Sequence, residues 1–152
     1  MKENRPHPAP HLSLGETGER LALRFLEANG YRIVATNFLA PIGRSRSGRP
    51  ITAEIDIIAY DESSRPHHLA FVEVKTRSRR DIAAPEAAVD RRKQRHLIRA
   101  ARAYRRLLHL QHELFRYDVV SIVLAPPAPP DLQLLRAFFH EASLARRPSD
   151  NL

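Results

Sequence analysis

Apolar residues recur along this chain with two spacings, and the spacing distinguishes helices from strands. They recur every three or four residues over residues 14–29 and again over about 85–110, which predicts two amphipathic helices. Ser13 and Glu16 stand at the positions of a capping box, so we expect the first helix to begin there. Segments rich in β-branched and aromatic residues predict four strands, at residues 31–37, 51–60, 69–77 and 116–124.

The segments between these elements complete the outline of a small α/β fold. Residues 41–50 contain two glycines, two prolines and three arginines, which predicts a loop. Residues 132–139 fit both an edge strand and a short helix, because both periods are present. We therefore expect a single domain over residues 13–145, with the order helix, three strands, helix, strand, and a further strand if residues 132–139 are extended. The flanking residues 1–12 and 146–152 are poor in apolar groups, and we expect them to be disordered tails.

Composition excludes several classes of protein. A chain of 152 residues has the size of one domain, and the absence of cysteine rules out a disulfide framework, a thiol nucleophile and a cysteine-based metal site. No glycine-rich nucleotide loop, GxSxG elbow or HExxH helix is present. The N-terminal residues lack the apolar segment of a signal peptide, and the longest apolar run is far shorter than the ~20 residues that span a bilayer. We therefore expect a soluble, cytoplasmic protein with no membrane partner.

Positive charge is concentrated around the second predicted helix. The formal net charge is +8, and residues 77–106 contain eleven basic and only three acidic side chains. Arginine forks match phosphate oxygens, so nucleic acid is the expected partner. A solvated helix face is the simpler alternative, because the whole chain uses 22 arginines and only 3 lysines. The candidate contacts are Arg77, Arg91, Arg92, Lys93, Arg95 and Arg99, with Arg44 and Arg46 of the predicted loop.

Two carboxylates stand in the middle of otherwise apolar strands. Asp56 lies in the predicted strand 51–60, and Glu73 lies in the next strand along the chain. Burying a carboxylate is costly unless the group is paired or binds a metal. If the two strands are neighbours, alternation places both carboxylates on one face of the sheet, with Ile55 and Ile57 on the opposite side of their strand.

This pattern indicates a site for a hard divalent cation that acts on a phosphate. Asp56 and Glu73 would supply two carboxylates to Mg²⁺, and Lys75, on the same face as Glu73, would orient or help to activate the attacking water. Glu19 lies at the edge of the apolar stripe of the first helix and could provide a further ligand. The simpler alternative is a surface ion pair between Glu73 and Lys75.

Five stretches of the chain carry a more specific signal when they are taken in order: GETGERLALRFLEANGYRIVATN, AEIDIIAYD, LAFVEVKTR, AAVDRRKQRHLIRAARAY and RYDVV. Over about residues 15–120 they resemble the YraN family of bacterial proteins, which is similar to the PD-(D/E)xK, or restriction-endonuclease-like, superfamily. The resemblance implies an α/β fold with a restriction-endonuclease-like αβββαβ core, in which helices flank a central mixed sheet. One departure is Ala53, where family members usually have glycine before the Glu-Ile-Asp sequence.

Within that superfamily the chain is most similar to Holliday-junction resolvases. Their helix glutamate, strand aspartate and E-x-K motif fall on Glu19, Asp56, Glu73 and Lys75. The resemblance implies that these four are the catalytic residues and that the first three are the metal ligands.

We therefore expect a Mg²⁺- or Mn²⁺-dependent endonuclease that hydrolyses DNA phosphodiester bonds, with structure-specific cleavage as one form of that activity. The first alternative is a non-catalytic nucleic-acid-binding protein with a vestigial nuclease site. The second is an interaction protein whose arginine-rich helix binds an acidic protein partner. A resolvase that cuts two strands symmetrically would need to act as a two-fold homodimer.

Overall fold

The computed structural model describes residues 13–78 and 89–144. The tails predicted at residues 1–12 and 146–152 lie outside the described residues. The elements in chain order are α1 (Leu14–Ala28), β1 (Tyr31–Arg44), β2 (Pro50–Asp61), β3 (His68–Ser78), α2 (Arg91–Leu107), β4 (Phe115–Leu124), β5 (Asp131–Phe139) and a short 3-10 helix (Glu141–Leu144).

A five-stranded mixed sheet lies between the two helices. Its strands follow chain order, and β3 and β4 are parallel whereas the other neighbours are antiparallel. A parallel pair needs a crossover connection, and α2 lies in the segment that joins β3 to β4. This α/β architecture confirms the expected central mixed sheet flanked by helices and is consistent with a restriction-endonuclease-like core. Residues 132–139 are extended and belong to β5.

Each face of the sheet is covered by an apolar layer. Alternate residues of β3 enter different layers, so α1 and α2 pack on opposite faces. The layer beside α1 contains Ala22, Leu26, Ile57, Ala59, Val72 and Val120. The layer beside α2 contains Ile55, Ile58, Phe71, Leu97, Tyr104 and Tyr117.

The prediction of a loop over residues 41–50 was mostly wrong. β1 runs to Arg44 and β2 starts at Pro50, so only residues 45–49 form the connecting turn. Pairing between the two strands overrides the local composition. Pro41 is tolerated within β1 because this strand is an edge of the sheet, where a missing N–H donor costs little.

The second helix is shorter than the predicted span of residues 85–110. It begins at Arg91, because the Asp90 side chain accepts a hydrogen bond from Lys93 N at 2.8 Å and caps the first turn. It ends at Leu107. The predicted start at Pro85 falls among residues 79–88, outside the described residues. In the described parts of the chain no helix combines the length and the apolar character needed to cross a membrane.

The strands do not pair over their whole length, and this opens a fork in the sheet. β2 pairs with β3 only as far as Ile57. β1 and β2 stay paired beyond that point and continue as a two-stranded ribbon, which ends in the turn at residues 45–49. Asp56 and Glu73 are the first residues of β2 and β3 beyond their common ladder, so the fork carries both candidate carboxylates.

Candidate active site

The side chain of Asp56 bridges the fork between β2 and β3. Its Oδ2 atom accepts a hydrogen bond from Val74 N at 2.8 Å. The carboxylate therefore satisfies a backbone N–H that a longer β2–β3 ladder would have paired. This bond fixes the direction of the Asp56 side chain across the gap, towards β3.

The alternation predicted for β2 breaks at this point. Ile55 packs in the layer beside α2, whereas Ile57 packs in the layer beside α1. Asp56 and Glu73 nevertheless come together, since the Asp56 carboxylate is close enough to raise the pKa of Glu73. The expectation that Ile55 and Ile57 share one side of β2 was wrong. The chain register alone could not predict this, because strand divergence is a tertiary feature.

Glu73 is a buried carboxylate with one unsatisfied oxygen. Only 8% of the residue is exposed. Its Oε1 atom lies 3.3 Å from Nζ of Lys93, and its Oε2 atom is buried without a hydrogen-bond partner among the described residues. Burial, together with the nearby Asp56 carboxylate, raises the pKa of Glu73 above its ordinary value, and Lys93 opposes this shift.

Asp56 also carries a perturbed carboxyl group. Burial raises its pKa, the charges of Glu19 and Glu54 raise it further, and the hydrogen bond from Val74 opposes the change. Asp56 thus feels the charges of Glu19 and Glu54, and Glu73 feels that of Asp56. A divalent cation bound there would relieve this repulsion, because it favours the ionised form of each carboxylate.

Glu19 reaches the rim of the same site from α1. A cleft of about 180 Å³ is lined by both Glu19 and Asp56, and by Asn37 of β1. Asn37 adopts a left-handed backbone conformation with φ of 50° and donates hydrogen bonds to Glu54 Oε1 at 2.9 Å and Glu19 Oε2 at 3.4 Å. Asn37 was not predicted from the sequence. Its signal is weak, since asparagine is merely the residue type that tolerates this conformation best after glycine.

The structure places two lysines differently from the expectation. Lys75, predicted to serve the carboxylates, is exposed and forms no ion pair with Asp56 or Glu73 within the described residues. Lys93, predicted only as a nucleic-acid contact, pairs with Glu73. The sequence did contain a signal for this role, because Lys93 stands on the apolar stripe of its helix.

The carboxylate pair fits a magnesium-type site. No three His, Cys, Asp or Glu side chains form a complete ligand set in residues 13–78 and 89–144. Mg²⁺ that acts on phosphate needs only one or two protein carboxylates, with waters and the substrate as its other ligands. Asp56 and Glu73 provide two, and the unsatisfied Oε2 of Glu73 is the kind of buried acceptor that a cation would complete. Glu19 could act through a bound water.

The predicted nucleic-acid contacts divide into accessible and committed side chains. Arg91, Arg92 and Arg95 are exposed on the first half of α2, and Arg44 and Arg46 are exposed at the ribbon end. Two of the predicted contacts have other positions. Arg77 is buried, with 8% exposed, and Arg99 donates a hydrogen bond to the carbonyl oxygen of Ile42.

Comparison with known proteins identifies similar chains. The family model of UPF0102, an uncharacterised protein family, matches residues 18–122. A UPF0102 protein of Koribacter versatilis is 40% identical over 134 residues, which cover 88% of this chain and 84% of the relative. A UPF0102 protein of Symbiobacterium thermophilum is 41% identical over 127 residues, which cover 84% of this chain and 96% of the relative. These names state no activity.

Proposed function

The chain belongs to the uncharacterised protein family UPF0102, and from this premise we propose that it is a metal-dependent endonuclease that hydrolyses DNA phosphodiester bonds. The observation that carries the proposal is the carboxylate pair at the fork, in which Asp56 is half-buried and Glu73 is buried, with Glu73 Oε2 left without a partner among the described residues. Structural ion pairs normally satisfy both oxygens of a buried carboxylate, whereas a cation-binding site keeps acceptor positions open.

Asp56 and Glu73 would hold Mg²⁺ or Mn²⁺, and Glu19 would bind through a water. When bound, the cation supplies electrostatic stabilisation for the charge that develops on the phosphoryl oxygens and makes a water molecule a better nucleophile. The hydrogen bond from Val74 N keeps Asp56 directed into the fork. Asn37 restrains Glu19 and Glu54 at the rim, so the acidic groups do not need to be ordered when substrate binds.

The arginines supply an extended contact for nucleic acid around this site. Arg91, Arg92 and Arg95 lie in the first turns of α2, close to the Lys93–Glu73 pair. Arg44 pairs with Pro50, six residues before Asp56 on β2, which corresponds to about 20 Å at ~3.3 Å per strand residue. Arg46 lies in the turn beyond this pair. One turn of B-DNA is about 34 Å long, so a duplex at the fork is long enough to reach both groups of arginines.

Cleavage of labelled DNA tests the proposal. Four-way junction, flap, duplex and single-stranded substrates are incubated with Mg²⁺, Mn²⁺ or EDTA and with wild type, Asp56→Asn or Glu73→Gln. We expect cleavage that requires metal and falls by roughly 100-fold or more in both variants, with DNA binding retained. Glu113→Gln, which neutralises an exposed carboxylate in a distant loop, is the matched control and should cleave like wild type.

A non-catalytic nucleic-acid-binding protein is the second candidate, and the position of Lys75 favours it, because this lysine is exposed and forms no ion pair with Asp56 or Glu73 within the described residues. It predicts that wild type cleaves none of the substrates while binding remains tight and salt-sensitive. A protein that binds an acidic protein partner is distinguished from these two candidates by its response to DNA. In that case junction or duplex DNA would not bind to the arginine surface and would not compete for it. If junctions are cleaved symmetrically, sedimentation should detect a homodimer on the substrate.

A further inference from the structure

Lys93 is the cation that the fold brings to the carboxylate pair. Its Nζ atom lies 3.3 Å from Glu73 Oε1, and its side chain is 41% exposed, whereas that of Glu73 is 10% exposed. We propose that Lys93 is the resident counter-ion of the pair in the absence of metal and that a bound divalent cation displaces its ammonium from Glu73. The second part rests on the metal site proposed above.

The position of Lys93 is built into α2. Asp90 caps the helix by accepting a hydrogen bond from Lys93 N itself, which fixes the first turn. Leu97 and Tyr104 follow on the same stripe of the helix and are buried against the sheet. Lys93 lies one helical turn before Leu97 on this stripe, and its Nζ atom reaches Glu73 of β3, so the packing of the helix directs the ammonium to the fork.

The charges at the fork explain why a metal and the ammonium compete. One ammonium faces two carboxylates, Asp56 and Glu73, and it leaves Glu73 Oε2 without a partner in the described part of the chain. A divalent cation carries twice the charge and can bind oxygens of both groups. Because its side chain is partly exposed, Lys93 can leave Glu73 while its stem stays packed, and its ammonium would then lie at the edge of the site, where a phosphate would bind.

Metal affinity measured without DNA tests the competition. Mn²⁺ is titrated calorimetrically into wild type, Lys93→Met, Lys75→Met and Arg95→Met. We expect Lys93→Met to bind Mn²⁺ about three- to tenfold more tightly than wild type, because the competing ammonium is gone. Arg95→Met also removes one positive charge, from an exposed position on the same helix, and so controls for the change in net charge. The Mn²⁺ affinities of Arg95→Met and Lys75→Met should stay within about twofold of that of wild type.

Thermal unfolding in EDTA tests the pair without any metal. Lys93→Met should lower Tm by roughly 3–6 °C, since it leaves Glu73 buried without a counter-charge. In a Glu73→Gln background the same substitution should change Tm by less than about 2 °C. An equal loss of Tm in both backgrounds, or Mn²⁺ affinity in Lys93→Met that is unchanged or weaker, overturns the proposal.

The outcomes separate this inference from the proposed activity. If the variants bind Mn²⁺ in the expected order but wild type cleaves no DNA, the nuclease proposal fails and the counter-ion role stands. If wild type binds no Mn²⁺, the proposed displacement and the nuclease both fail, whatever the unfolding data show about the ion pair.

Discussion

Gly18 allows α1 to approach β3 closely. The residue is buried, and a Cβ atom at this position would collide with the side chain of Thr76. Helix propensity alone favours alanine over glycine in a helix interior by about 0.5–1 kcal/mol. Glycine is therefore present for the close contact with β3 and against helix propensity. The same contact determines how near the adjacent Glu19 comes to the fork.

Substitution of two glycines in α1 separates these effects. Gly18→Ala should lower the free energy of unfolding by about 1–3 kcal/mol, because the new methyl group forces the helix away from Thr76. Gly15→Ala is the matched control, since the nearest atom to its new Cβ lies 4.0 Å away, and it should leave stability unchanged or raise it by up to about 1 kcal/mol. Urea denaturation measures both, and equal effects would contradict the close-contact argument.

Part of the candidate site could be predicted from the chemistry of individual residues in the sequence. Asp56 and Glu73 were identifiable because a carboxylate in an apolar strand breaks the ordinary pattern of burial. The place of Lys93 on the apolar stripe of α2 was visible in the sequence, but its pairing with Glu73 was not, because that depends on how α2 crosses the sheet. The burial of Arg77 was equally hidden, since a basic residue at the end of a charged segment looks exposed in sequence.

A buried polar network joins β1, β2 and β4 at the end of the sheet opposite the ribbon. Arg116 donates to both oxygens of Asp118, to Asp61 and to the hydroxyl of Tyr31. Asp118 is fully buried and Asp61 is 2% exposed. Burial alone would raise the pKa of Asp61, but hydrogen bonds from Ser63 and Arg116 outweigh it and hold that pKa well below its ordinary range.

The network predicts a specific loss of stability in acid. A carboxylate with a lowered folded-state pKa contributes stability above its unfolded pKa of ~3.9 and loses it as pH falls further. Asp61→Asn should therefore lower Tm by roughly 3–8 °C at pH 7, and the difference from wild type should shrink as pH falls from about 4 to 2. Glu62→Gln, in an exposed pair with Arg32, is the control and should change Tm little at either pH. A difference that is independent of pH would contradict this account.

Element order was predictable from periodicity, whereas element ends were set by partners. The capping box of α1 is local, and Ser13 and Glu16 exchange both hydrogen bonds as expected. The extension of β1 through Pro41 depends on pairing with β2, which lies many residues away in sequence. The fork likewise follows from where β2 stops pairing with β3. A carboxylate stands at that point in each strand, but a carboxylate does not by itself predict that pairing ends there.

The whole molecule combines a basic surface with an acidic centre. The formal net charge is +8, yet the charges of Glu19 and Glu54 lie close enough to Asp56 to raise its pKa. Together with Glu73, these carboxylates alone would repel a phosphodiester backbone. Exposed arginines in the first turns of α2 can offset this repulsion within the Debye length of about 8–10 Å, whereas those at the end of the ribbon, about 20 Å away, act by contacting phosphates directly. The arrangement favours the approach of a polyanion to a site that itself attracts cations.

The salt dependence of DNA binding tests this division of charge. Each arginine that neutralises a phosphate adds about 0.9 to the steepness of log K against log salt, so replacing Arg91, Arg92 and Arg95 together by alanine should reduce the slope by roughly 2–3. Arg102→Ala is the control on the same helix, because Arg102 is already paired with Glu141, and its slope should match wild type. Equal slopes for wild type and the triple variant would mean that the first turns of α2 do not bind DNA. If the triple variant has a reduced slope but still cleaves, whereas Asp56→Asn binds DNA without cleaving it, binding and catalysis belong to separate residues.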